Sequence, residues 1–130
     1  MLDTYIKLVR SVVGFVAVVW NSSLTKECLN AIERVQKRAF AVILGSRYQT
    51  YEEACNKLNM ETLSRRRENL STKFALKSSN HPLHSHWFVI NQEVSKTRSE
   101  KPAYKPVQGR TERLLKSAIP YLTSLLNKKN

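Results

Sequence analysis

The chain has 130 residues and a net charge of +12, from 22 basic and 10 acidic side chains, with 42% hydrophobic residues. That length holds one domain, or one domain with a tail, and three glycines with few alternating β-branched runs argue against an all-β fold. The cationic surplus suits polyanions without defining a site, and two cysteines, Cys28 and Cys55, give neither a disulfide framework nor a C-x-x-C pair.

A first helix is expected over residues 4–20. Ile6, Val9, Val13, Val16 and Ala17 recur at helical spacing, and Val12, Val18 and Val19 thicken the stripe, so the helix reads as central and apolar on most sides. Periodicity alone leaves a strand over residues 12–20 open. Lys7 and Arg10 ahead of that run mimic a secretory signal, but no small-x-small cleavage site follows and the run is too short to span a bilayer. The expected location is therefore intracellular, cytoplasmic or nuclear, with both thiols reduced and in the core.

A second helix starts at a Ser23 or Thr25 cap and ends at Leu44, with Gly45 placed for a left-handed C-cap. Cys28, Ile32, Val35, Ala39 and Val42 form its expected core face, widened by Leu29, Phe40 and Ile43. Arg34, Lys37, Arg38 and Ala41 lie on or near the other side. Thr50-Tyr51-Glu52-Glu53 is a capping box, so a short helix begins at Tyr51 and stops near Asn59. A fourth helix runs from about Thr62 to Ser79, with Leu63, Leu70 and Phe74 on its buried side and Arg66 or Arg67 flanking it, until His81-Pro82 ends it. Composition shifts after Asn80: residues 81–130 carry +6, half of the net charge, and all four prolines. Residues 91–110 lack a helical stripe and read as a flexible basic linker. A last short helix is expected from Pro120 through Leu122, Leu125 and Leu126. The reading is an all-α fold: a three- to four-helix bundle over residues 1–80, followed over 81–130 by a basic, partly disordered C-terminal third.

Several segments together resemble one family. They are the run from Val9 to Trp20, then Asn21-Ser22-Ser23-Leu24, then Ile32-Glu33-Arg34-Val35-Gln36-Lys37-Arg38-Ala39-Phe40. The likeness continues in Tyr51-Glu52-Glu53-Ala54, Leu63-Ser64-Arg65-Arg66-Arg67, Arg110-Thr111-Glu112-Arg113 and Ser117-Ala118-Ile119-Pro120-Tyr121-Leu122. This order resembles the region after the palm in reverse transcriptases of non-LTR retrotransposons, jockey-like ones especially. The resemblance implies a thumb, whose helices hold the template–primer duplex, without the fingers and palm that carry RNA-directed DNA polymerase activity. Gly14 stands where the family usually has an acidic residue, and Phe15 where it usually has tyrosine.

The residues support that division of labour. Nucleotide transfer uses metal ions held by clustered carboxylates, and Asp3 is the one aspartate. The chain is therefore expected not to be an enzyme and to hold no cofactor or metal. His81, His84 and His86 crowd one loop beside Trp87, but their spacing to the cysteines matches no zinc signature. Lys37, Arg38, Arg65, Arg66 and Arg67 are the candidate nucleic-acid contacts, against the plainer reading of a solvated charged face with arginine stems on the core. Trp20, Trp87, Phe15, Phe40 and Phe74 read as core anchors. The expected partner is RNA, DNA or their hybrid, bound without sequence preference, and no membrane. The alternatives are a helical protein-interaction module, with the face meant for a missing palm left apolar and exposed, or a remnant without selected function.

Overall fold

The computed structural model describes residues 1–92 and 103–129. The fold is all-α. Among the described residues there is no strand, only an isolated antiparallel bridge between Ile90 and Tyr104. The chain divides into two compact units, one of residues 1–17 and 24–69, the other of residues 18–23 and 70–130. The change in composition after Asn80 therefore does not coincide with the boundary between units. Much of the expected linker, residues 93–102, lies outside the described residues.

In the first unit, α1 runs through Leu2–Thr4, a π-helical Tyr5–Arg10 and Ser11–Gly14. It then breaks. Phe15 is extended (ψ 126°) and Val16 takes a φ of +48°. A second segment, α2 (Ala17–Trp20), follows the break, with residues 18–20 belonging to the second unit. Gly14 and the run of valines lower helix propensity here, and the expected continuous helix over 4–20 is interrupted. Nor is α1 central. Tyr5 is buried, but Leu8, Val12 and Phe15 are exposed, Phe15 by 74%. One face packs and the rest of the apolar surface meets water.

Helix α3 (Lys26–Leu44) starts where Thr25 Oγ1 accepts from the Cys28 N–H at 3.3 Å, so of the two candidate caps the second is used. Its buried residues are Gln36 and Phe40. The expected core face is rotated: Cys28, Val35 and Val42 are exposed, while Gln36 points inward. The physical reason is that Gln36 finds two partners inside, the Tyr5 hydroxyl and the Glu61 carbonyl, so the amide costs little to bury. α4 (Tyr51–Lys57) is capped by Thr50 Oγ1 accepting from the Glu53 N–H at 3.3 Å. Asn59 then takes a positive φ of 50°, a conformation that asparagine tolerates better than most residues. The core of this unit is Tyr5, Phe40, Ala54, Cys55 and Met60. Phe40 sits between two rings, edge-on to Tyr5 at 5.8 Å and tilted to Tyr51 at 6.0 Å.

Helix α5 (Leu63–Ser79) begins with Thr62 Oγ1 accepting from the Arg65 N–H at 3.2 Å. Its buried stripe is Leu63, Arg67, Ser71, Ala75 and Ser78: Leu63 is buried as expected, while Leu70 is half-buried and Phe74 is not part of the stripe. Small side chains at this spacing permit close approach, and Phe74 is left exposed. In the second unit, α6 (Glu112–Leu115) is capped by Thr111, and α7 (Ala118–Lys129) places Pro120 in the first turn, where its missing N–H costs no helix bond. Leu122, Leu125 and Leu126 are buried with Ala75 and Phe88, as the leucine spacing predicts. Tyr104 is clamped by the Asn127 amide. Its N–H donates to Asn127 Oδ1 at 2.9 Å and its carbonyl accepts from Nδ2 at 3.0 Å.

Phe40→Ala is expected to destabilise the chain by about 3–5 kcal/mol, while Val42→Ala, at a side chain 60% exposed, should stay within about 0.5 kcal/mol. Urea titration of both variants checks the rotated face. A β-branched residue at positive φ is strained by roughly 1–2 kcal/mol, and glycine is not. Val16→Gly is therefore expected to raise stability by about 0.5–1 kcal/mol net of its own chain entropy, read from the same titration.

Candidate nucleic-acid interface

The five basic residues singled out by sequence all lie in the first unit, and the structure does not treat them alike. Lys37 and Arg38 are exposed on α3. Lys37 places its Nζ 5.1 Å from the Tyr51 ring centroid, a cation–π contact that holds the ammonium near α4. Arg38 stands elsewhere on α3, at the rim of an apolar groove between α1 and α3. Arg65 is exposed at the start of α5, near Glu52, Asn56, Glu61 and Thr62. Arg66 is half-buried, with its Nε out of solvent and 3.8 Å from where a Cβ on Gly14 would sit.

Arg67 corrects the expectation. It is 1% exposed, on the buried stripe of α5, so its guanidinium has no access to a phosphate in solvent. The Arg65-Arg66-Arg67 run thus turns through three environments, as successive residues 100° apart on a helix must. Lys37, Arg38 and Arg65 are the exposed members, on α3 and at the start of α5.

Sequence reasoning missed the polar centre beside them. Gln36 is fully buried. The Tyr5 hydroxyl donates to Gln36 Oε1 at 3.0 Å, and Gln36 Nε2 donates to the Glu61 carbonyl at 3.0 Å. Arg10 Nη2 reaches the same carbonyl at 3.3 Å, and the Arg10 and Glu61 charges come within 4.0 Å. Glu61 also accepts from Asn69 at 2.8 Å through its other oxygen, Oε2. Burial, and then the Arg66 charge, lower the Arg10 pKa. Burial also pushes the Tyr5 hydroxyl up to about 12, raises Tyr51, and holds the Cys55 thiol above its ordinary value. A thiol so placed is a packing group and not a nucleophile. The one sequence signal for this centre was a glutamine between Val35 and Phe40, at the edge of an otherwise apolar stripe.

In the second unit the His84 ring lies 5.1 Å from His81 and 4.5 Å from Trp87, a stack of aromatic surfaces. His81 Nδ1 accepts from the Leu83 N–H. Among the described residues no three His, Cys, Asp or Glu side chains are placed to hold a metal ion, and no helix is long and apolar enough to cross a membrane. Set against known protein families, curated proteins and solved structures, the chain matches none.

Burial of the Tyr5 hydroxyl makes the fold less stable in alkali. Below pH 10 the hydroxyl is protonated in both folded and unfolded chains, so it contributes no pH dependence. Between pH 10 and about 12 the unfolded chain releases the proton and the folded chain keeps it, so stability falls as pH rises. Tyr5→Phe should cost about 1–3 kcal/mol at neutral pH by stranding Gln36 Oε1. It should also flatten the alkaline fall of stability, measured by urea unfolding between pH 9 and about 12.

Proposed function

We propose that the chain is a thumb-like, nucleic-acid-binding region of a non-LTR retrotransposon reverse transcriptase, without polymerase activity of its own. The observation that carries the reading is the order of sequence segments resembling that family, from Val9 through Leu122, on a chain of charge +12. The all-α fold is compatible with a thumb. Exposed Lys37, Arg38 and Arg65 support contact with a phosphate backbone, where affinity comes from counterion release and not from base reading. The single aspartate supports a non-catalytic role, since the two-metal site of polymerases needs several carboxylates. The ligand is RNA, DNA or a hybrid duplex, bound without sequence preference.

A second reading, a helical protein-interaction module, is favoured by the exposed apolar side chains of α1 and α3, Val12 and Val42 among them.

Fluorescence anisotropy with an RNA–DNA hybrid duplex tests the first reading. Binding should weaken steeply with salt. Replacing Lys37, Arg38 and Arg65 together with alanine should flatten the slope of log K against log salt by about 1–3, near one unit for each phosphate lost. Arg67→Ala should instead lower the melting temperature and leave that slope unchanged. The same loss from Lys96→Ala, Arg98→Ala and Lys101→Ala would reduce the binding to bulk charge and remove the thumb-like surface.

Primer extension with magnesium or manganese should be undetectable. Extension that survives Asp3→Ala would overturn the non-catalytic assignment.

A further inference from the structure

The rotation of α3 leaves an apolar surface unfilled. Val35, Ala39 and Val42 recur at helical spacing on the face of α3 adjoining that of Gln36, and Val9 and Tyr5 face them from α1 across a groove of about 380 Å³. Val35 is 43% exposed and Val42 60% exposed. Large β-branched side chains gain nothing from an exposed helix position, where they lower propensity and hold apolar area in water. From Val35 to Val42 the floor runs for about 10 Å, two helical turns.

Charge narrows what covers it. Arg38 lines the groove, and Arg34, one turn before it on α3, is exposed along the same edge. Acidic groups on these two helices are few: Asp3 and Glu27 are exposed, and Glu33 accepts from the Ser64 N–H. A second copy of the chain would bring a like-charged rim and another +12 to the contact. A flat anionic surface would meet the rim and leave the floor between the helices empty. We propose that this groove docks an amphipathic helix of another protein, whose two-turn apolar stripe is flanked by aspartate or glutamate.

The test uses the full chain and two labelled synthetic helical peptides of one design. Both carry leucines at i, i+3, i+4 and i+7, one with glutamate and the other with lysine on the flanking positions. Anisotropy should show the glutamate peptide binding and the lysine peptide binding at least about tenfold more weakly. Val42→Glu should weaken the glutamate peptide by about tenfold or more, with melting temperature and hybrid-duplex binding unchanged. Val42→Gln, which removes the apolar contact without adding charge, should lower affinity in the same direction. Arg34→Glu with Arg38→Glu should reverse the preference between the peptides.

Equal binding of the two peptides, or binding indifferent to both Val42 variants, would overturn the proposal. So would a dimer of the chain alone, seen in sedimentation and dispersed by Val42→Glu, since the occupant would then be a second copy. Binding to phosphatidylglycerol vesicles that Val42→Glu abolishes, without peptide binding, would assign the groove to a membrane surface and also overturn it. Loss of hybrid-duplex binding in a folded Val42→Glu variant would make the groove part of the nucleic-acid surface instead.

Discussion

The first unit is organised around one buried amide. Gln36 has no exposure and uses both ends of its side chain, accepting from Tyr5 on α1 and donating to the carbonyl of Glu61 ahead of α5. A buried amide left half-satisfied costs more than an apolar residue of the same size, so the three elements it joins are fixed together or not at all. Arg10 reaches the same Glu61 carbonyl. The ring of Phe40 lies one turn further along α3, on the side of Gln36. The aromatic core and the polar centre are thus one assembly, and the orientation of α3 follows from it.

That amide also marks where the sequence is legible. Signals that act within a turn were readable, because the partners are close in the chain. Thr25 and Thr50 cap α3 and α4 through backbone N–H groups three residues on, and the leucine spacing around Leu122, Leu125 and Leu126 names the buried side of α7. The buried faces of α3 and α5 were not readable in the same way. On α3 the apolar residues cover two adjoining faces, and what decides between them is a hydrogen bond from Tyr5, 31 residues away. On α5 the hidden stripe contains Arg67, Ser71 and Ser78, which hydropathy ranks as surface residues. The break at Val16 belongs to the same class, because helical periodicity continues straight through it.

For the candidate site, composition showed the cationic character and left the geometry open. A tract of three arginines reads as a unit in sequence, yet a helix distributes it. Arg65 faces solvent, Arg66 sits by Gly14, and Arg67 is enclosed. Charge that is clustered in one dimension is divided among surface, boundary and interior in three. The exposed cations that remain are Lys37 and Arg38 on α3 and Arg65 at the start of α5. The apolar side chains of α1 and α3 give the same unit a second kind of surface, and the two chemistries meet at Arg38.

In the second unit the short pairing of Ile90 with Tyr104 uses the groups on its inner side, Asn91 N–H to the Ala103 carbonyl and Lys105 N–H to the Val89 carbonyl, each at 2.8 Å. The N–H and carbonyl of Tyr104 turn outward, where a third strand would add. Asn127 occupies both of them with one side chain. An amide carries the donor and the acceptor that a neighbouring backbone would offer, and it extends no further. The edge is closed by a group that cannot propagate, so on this side the bridge offers no template to an extended segment of another molecule, which is how sheet edges nucleate aggregation. In a cationic helical chain, a single asparagine thus protects from growth the one β-like contact among the described residues.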